Sequence, residues 1–185
     1  MRIAVYSGSF DPLHIGHQAI MEYLTRERGF DWVYLVISPQ NPFKDPAKAL
    51  NAKQRYLAAI DAVRRHPELH VWVDDIELEM PAPQYTINTL DALRLREPDN
   101  EFTLVMGADN LESIRKWRDA PRILNEYGVV VYPRKGYDAE SIRKSLVEEC
   151  STYDIQIIDA PTVDISSTRI REGIARGEDM SGWLM

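Results

Sequence analysis

Ile3-Ala4-Val5-Tyr6-Ser7-Gly8-Ser9-Phe10-Asp11-Pro12-Leu13-His14-Ile15-Gly16-His17 begins as an apolar run and ends on two histidines three positions apart. The run reads as a buried strand, the small residues as a turn, and the remainder as the opening of a helix near Ile15–Arg28. Asp11-Pro12 has the composition of an N-cap followed by the first helical position. Residues i and i+3 share a helix face, so both imidazoles can address one ligand. Small residues at a strand-to-helix turn let backbone N–H groups approach an anion, and the helix N-terminus adds favourable partial charge. Gly16 costs a helix about 1 kcal/mol relative to alanine, which suits a place where a ligand or backbone comes close.

Outward from this stretch, strand-like and helix-like segments alternate. Trp32–Ile37 is a continuous apolar run of the kind buried in parallel sheets. Ala49–Arg65 has apolar residues at helical spacing in Tyr56, Leu57, Ile60 and Val63. Leu69–Val73 reads as a strand that Ile76–Leu78 continues, Thr86–Arg96 as a helix and Phe102–Met106 as a strand. Leu111–Tyr127 reads as helical with an interruption at Pro121. Val129–Tyr132, Ala139–Glu149 and Ile155–Ile158 follow as strand, helix and strand, and Thr168–Arg176 closes as a helix with Gly177 at C′. The alternation predicts a Rossmann-like α/β fold: a doubly wound, mostly parallel sheet with helices on both faces, formed by residues 1–185 as a single domain. In such sheets ligands bind beyond the carboxyl ends of the strands, which directs attention to residues 7–17, 38–44, 107–110, 133–136 and 160–171.

Asp164-Ile165-Ser166-Ser167-Thr168-Arg169-Ile170-Arg171 sets out from the last of those strand ends. A serine or threonine there is an ordinary N-cap. The arginines are not ordinary, because positive charge in a first helical turn opposes the dipole by ~0.3–1 kcal/mol each. A polyphosphate at this point resolves the conflict by accepting N–H, hydroxyl and charge-assisted arginine bonds together.

Composition narrows the classes of partner. The 185 residues are 44% hydrophobic and 28% charged, ordinary values for a globular protein. A net charge of −7 disfavours nucleic acid but leaves room for a local basic cluster and a small anion. Cys150 stands alone, so no internal disulfide forms, which fits a reducing cytoplasm. No apolar run approaches the ~18 residues of a membrane span, and Met1-Arg2 leads straight into the first strand. Oligomeric state is open, a homo-oligomer included.

The first stretch resembles the N-terminal His-x-Gly-His signature of the nucleotidyltransferase superfamily, and Ile165-Ser166-Ser167-Thr168-Arg169-Ile170-Arg171 resembles its Ile-Ser-Ser-Thr-x-Ile-Arg motif at every fixed position. Within the superfamily the chain is most similar to bacterial nicotinate-nucleotide adenylyltransferases. Asn41-Pro42-Phe43-Lys44 looks like their Asn-Pro-x-Lys element, Tyr85-Thr86-Ile87-Asn88-Thr89-Leu90 like Ser-Tyr-Thr-x-x-Thr-Leu, and Tyr132–Gly136 like the segment ending in Arg-x-Gly, with Arg134 matched. Ser7 stands where a glycine is usual and Gln84 where a serine is usual.

The resemblance implies an enzyme that joins AMP from ATP, the co-substrate, to nicotinate mononucleotide, with Mg²⁺ bridging phosphate oxygens. A pantetheine-phosphate adenylyltransferase is the nearest enzymatic alternative, and a non-catalytic nucleotide-binding module the alternative of another class. On this reading His14 and His17 are catalytic. Gly8, Ser9, Phe10, Lys44, Ser167, Thr168 and Arg171 bind nucleotide phosphates, and Tyr85, Thr86, Asp109, Trp117 and Arg134 bind the acceptor. Asp109 follows a strand, as a substrate-contacting residue would, and equally suits a helix cap. Trp117 lies among Arg115, Lys116 and Arg118, which predicts a partly exposed ring able to stack on an aromatic ligand. No carboxylate cluster suggests a protein-built metal cage.

Overall fold

Ile3, Ala4, Val5 and Tyr6 are all buried because the strand that contains them, β1 (Arg2–Gly8), lies at the middle of the sheet with both faces covered. The computed structural model describes residues 1–39 and 46–185, without the side chains of 46–50. From β1 the chain passes through α1 (Ile15–Arg26), β2 (Trp32–Ile37), α2 (Pro46–Arg64) and β3 (Val71–Asp74). A short α3 (Ile76–Glu79) precedes α4 (Thr86–Arg96), β4 (Glu101–Gly107) and α5 (Ala108–Ser113). There follow α6 (Ala120–Arg122), which continues as a π-helix over Ile123–Tyr127, then β5 (Val129–Tyr132), α7 (Ala139–Glu149), β6 (Ile155–Ile157) and α8 (Ser167–Ala175).

The strands pair in parallel in the order β3-β2-β1-β4-β5-β6. This is the doubly wound order, whose direction of winding reverses between β1 and β4. Side chains alternate across the sheet: Ala4 and Tyr6 join a core with α1 and α2, whereas Ile3 and Val5 join a second core with α4 and α5. A small third cluster of Ile165, Ile170 and Met180 seats α8. Trp32, next to the four-residue edge strand β3, is 37% exposed, so the apolar run of β2 is less completely covered than its composition implies.

Four local readings are corrected. Ile76–Leu78 does not extend β3. Asp74 Oδ1 accepts from Ile76 N at 3.0 Å and Asp75 O from Leu78 N at 2.8 Å, so the side chain of Asp74 turns the backbone into α3. Pro121 does not interrupt a helix; it lies in the first turn of α6, where its missing N–H is harmless. The break falls at Trp117–Asp119, and Asp119 adopts φ +49°. In α2 the buried face is Ala52, Arg55, Ala59 and Ala62, while Leu57 is 51% exposed. The N-cap of α1 is His14, not Asp11. At the other end of the chain Gly177 takes φ +77° and accepts its role at C′: Gly177 N donates to Ile174 O and Glu178 N to Gly173 O, both at 2.9 Å.

Candidate active site

The loop from β1 to α1 emerges at the switch point of the sheet. Gly8 lies close beneath its neighbour: a Cβ would stand 3.2 Å from the Phe10 ring that folds over it, a tight contact. Phe10 has φ +47° and a buried side chain, packed edge-on against Tyr6 at 5.2 Å and His17 at 5.0 Å between ring centres. The loop's oxygens are taken up by side chains from distant segments. Arg55 Nη1 donates to Ser9 O at 2.5 Å, Arg171 Nη1 to Asp11 O at 2.6 Å and Ser167 Oγ to Pro12 O at 3.0 Å.

His14 and His17 form a reciprocal cap at the start of α1. Gly16 N donates to His14 Nδ1 at 3.1 Å, and His14 N donates to His17 Nδ1 at 3.2 Å. The rings stack at 3.6 Å between centres. Gly16 is explained by this cap rather than by close approach of a ligand, because a Cβ would stand 2.9 Å from both Cε1 and Nδ1 of His14. Burial, reinforced by the Arg134 charge, brings the His14 pKa down to about 4. Burial, His14 and Arg134 together hold His17 well below its ordinary value. Both imidazoles are therefore neutral at physiological pH. With each Nδ1 accepting a backbone N–H, the ring proton sits on Nε2. The pair offers two N–H donors and no charge.

Arg134 follows β5 and stacks over Tyr132 at 5.3 Å. Its Nε lies 3.6 Å from Asp109 Oδ1, which is buried and has no hydrogen-bond partner. Gly107 makes that approach possible, since a Cβ there would stand 2.4 Å from Asp109 Oδ1 and 3.1 Å from Arg134. Opposite them, Ser166 caps α8 by accepting from Arg169 N at 3.2 Å. Ser167 is then the first helical residue, and Arg171 lies beyond the first turn instead of inside it. Arg169 remains within that turn and donates to Asp164 O at 3.2 Å. A cavity of 590 Å³ joins these elements, with His14, His17, Tyr132, Arg134, Ser166 and Arg169 on its walls. That volume suits a small organic ligand.

The candidate residues thus divide. His14, His17 and Arg134 share one cavity, and Gly8, Ser9, Phe10, Ser167, Thr168 and Arg171 form the two backbone segments beside it. Tyr85, Thr86 and Trp117 do not line it. Tyr85 caps α4 and lies under Arg118 at 5.0 Å, Thr86 is the first residue of α4, and Trp117 is half-buried against the second core. Lys44 lies outside the described residues.

Two groups escaped the sequence reading. Arg55 is 6% exposed between the segments that follow β1 and β2, where it bonds Ser9 O and Ser38 O; its sequence signal is an arginine in helical register with Ala52, Ala59 and Ala62. Glu77, 4% exposed, accepts from Ser38 Oγ at 2.6 Å, Thr89 Oγ1 at 2.9 Å and Ser7 Oγ at 3.3 Å. Burial raises its pKa while these hydroxyls oppose the rise. Ser7, the departure from the usual glycine, is a member of this buried network. Gln84, the other departure, donates to Met80 O at 3.1 Å and closes the turn before α4.

A switch-point cavity with neutral imidazoles on one wall and a helix N-terminus on another defines a nucleotide-binding α/β protein of the cytidylyltransferase-like class, and a cytidylyltransferase-like family model matches residues 5–173. The "probable nicotinate-nucleotide adenylyltransferase" of Flavobacterium johnsoniae is 38% identical over 188 residues, covering 100% of this chain and 92% of that one. Its namesake from Flavobacterium psychrophilum is 40% identical over 184 residues, covering 100% and 92%. The chain belongs to the nicotinate-nucleotide adenylyltransferase family. Its fold is also that of Plasmodium falciparum nicotinic acid mononucleotide adenylyltransferase complexed with NaAD, with a TM-score of 0.76, 19% identity, and 99% and 90% of the two chains covered.

Proposed function

We propose that the chain binds ATP and nicotinate mononucleotide in and beside the 590 Å³ cavity and joins them as nicotinate adenine dinucleotide. The observation that carries this reading is that His14 and His17, each with Nδ1 engaged by a backbone N–H, line one cavity together with Ser166 and Arg169 at the start of α8. The acceptor's phosphate oxygen attacks the α-phosphorus of ATP; a P–O bond forms, the bond to the bridging α–β oxygen breaks, and pyrophosphate leaves with that electron pair. No proton has to move to the protein. The protein's contribution is positioning and electrostatic stabilisation.

In this assignment His14 and His17 donate to the triphosphate as its charge redistributes, while the N–H groups of Gly8, Ser9 and Phe10 contact phosphate oxygens. Ser167, Thr168 and Arg171 hold the departing pyrophosphate, with Lys44 assisting. Tyr85, Thr86, Asp109, Trp117 and Arg134 serve the acceptor. Among the described residues no three His, Cys, Asp or Glu side chains come together, so Mg²⁺ would take its ligands from phosphate oxygens and water. No described helix is long and apolar enough to cross a membrane. The net charge of −7 and the single cysteine support a cytoplasmic enzyme of small substrates.

Pyrophosphate release measured across acceptors at equal ATP tests the reading. Nicotinate mononucleotide should give the highest kcat/KM, above its nicotinamide analogue and pantetheine phosphate. Preference for pantetheine phosphate would reassign the substrate, and absence of turnover with any acceptor would refute the enzymatic reading.

A further inference from the structure

Arg55 is a buried cation without a described carboxylate partner. Its Nη1 donates to two carbonyls at once, Ser9 O at 2.5 Å and Ser38 O at 3.1 Å, so it joins the segments that follow β1 and β2. Its Nη2 is buried with no hydrogen-bond partner. Burying a guanidinium without a counter-ion costs several kcal/mol; a neutral side chain could cross-link two carbonyls at lower cost. Burial lowers its pKa, although the nearby Asp11 charge works the other way, and an arginine keeps its proton under such pressure.

The position of the bond gives the charge a use. Ser9 C=O and Phe10 N–H belong to one planar trans peptide and point in opposite directions. Drawing the oxygen toward α2 therefore aims the amide hydrogen away from α2, out of the loop. Phe10 at φ +47° occupies a region costing a non-glycine residue on the order of 1 kcal/mol, and such a residue persists only where its surroundings hold it. Arg55 grips the peptide immediately before it. Asp11 O and Pro12 O are held separately from α8, so among the described residues Arg55 is the one restraint on this loop that comes from the α2 side and carries charge. A carbonyl turned outward would repel a phosphate, whereas an amide backed by a cation attracts one.

We propose that Arg55 is a positioning residue for ATP: by holding Ser9 O and Ser38 O it fixes the β1–α1 loop with its amide face toward the triphosphate. The proposal rests on ATP being the ligand of this loop. Arg55 does not line the cavity that holds Arg134, the residue assigned to the acceptor, so the two substrates should respond differently to its replacement.

The test uses the full chain with Arg55→Met and Arg55→Lys, titrated with MgATP by calorimetry and assayed for turnover well below the melting temperature of each variant. Arg55→Met should weaken ATP binding at least about tenfold, the effect of losing one charge-assisted hydrogen bond, and should lower kcat while leaving the acceptor KM near that of the unmodified chain. Arg55→Lys keeps the charge and nearly the volume but not the fork that reaches two carbonyls, and should fall between the two. Folded Arg55→Met with unchanged ATP affinity overturns the proposal. So does equal weakening toward both substrates, which is the signature of a general loss of structure. Should Arg55→Met fail to fold, Arg55→Lys decides: unmodified ATP affinity overturns the proposal and a selective loss upholds it. Failure of the unmodified chain to bind ATP would overturn the functional reading itself, before any variant is compared.

Discussion

Gly16→Ala sets two opposing effects against one another, and the structure decides the sign. Alanine gains at most about 1 kcal/mol of helix propensity over glycine. The new methyl, however, would stand 2.9 Å from Cε1 and Nδ1 of His14, tighter than a Cβ can tolerate. His14 is 6% exposed and stacked on His17 at 3.6 Å, so the ring cannot yield without disturbing its partner. Overpacking of this kind costs typically ~1–3 kcal/mol, and losing the N-cap bond from Gly16 N costs about 1 kcal/mol more. The expected net effect is a destabilisation of roughly 1–3 kcal/mol in urea denaturation at constant m. ATP affinity should fall as well, because the displaced imidazole is one of the two Nε2–H donors. The assay pairs denaturation midpoints with calorimetric ATP titration. A variant as stable as the unmodified chain, with undiminished ATP affinity, would show that the ring accommodates a Cβ and that the cap does not account for the glycine.

Two further outcomes follow from the same geometry. His14 titrates at about 4 and His17 well below its ordinary value, against 6.5 in an unfolded chain. Between those values the unfolded chain binds more protons than the folded one. Stability of the unliganded protein should therefore be present above pH 6.5 and be lost as pH falls toward 4, with a slope of at most about 1.4 kcal/mol per pH unit for each imidazole. His17→Gln should flatten that slope, and parallel curves between pH 6.5 and 5 would refute the neutral assignment. Arg171→Ala removes the bond to Asp11 O at 2.6 Å from a position beyond the first turn of α8, where little dipole penalty is relieved. The unliganded protein should lose ~0.5–1.5 kcal/mol and bind pyrophosphate more weakly in calorimetry; a gain in stability would restore the reading of Arg171 as a charge misplaced for the sake of a ligand.

Segments whose own periodicity is strong were legible. β2, α4, β5 and α7 have the bounds that their composition marks, because continuous apolar runs and i, i+3, i+4 spacing are local signals. The pairing of the two end segments was partly legible: small residues and histidines mark residues 7–17 and serines mark the start of α8, but Arg171, which reads as a first-turn residue, lies beyond that turn. Segments set by a single side chain were not legible. Asp74 turns Ile76–Glu79 into a helix, and nothing in Ile76-Glu77-Leu78 announces it. His14 displaces Asp11 as the cap of α1 because its imidazole reaches Gly16 N across a gap that only glycine leaves. Arg55 and Glu77 were illegible on different grounds. A charged residue on an apolar helical face reads as solvated until the loops it serves are placed beside it, and those loops lie 46 and 17 positions away from Arg55 in sequence.

The cross-ties from α8 to the first loop also impose an order of manufacture. Leu184 pairs with His14, Ser167 with Pro12 and Arg171 with Asp11, so the first loop of the candidate site is completed by residues made 155 or more positions later. At ~5–20 residues per second of synthesis, residues 7–17 leave the ribosome on the order of ten to thirty seconds before their partners exist. During that interval the nascent chain has the glycine-turn and both histidines but not the latches that hold the loop carbonyls. A chain halted at β6 would retain all six described strands of the sheet and still lack the side chains that hold Asp11 O and Pro12 O.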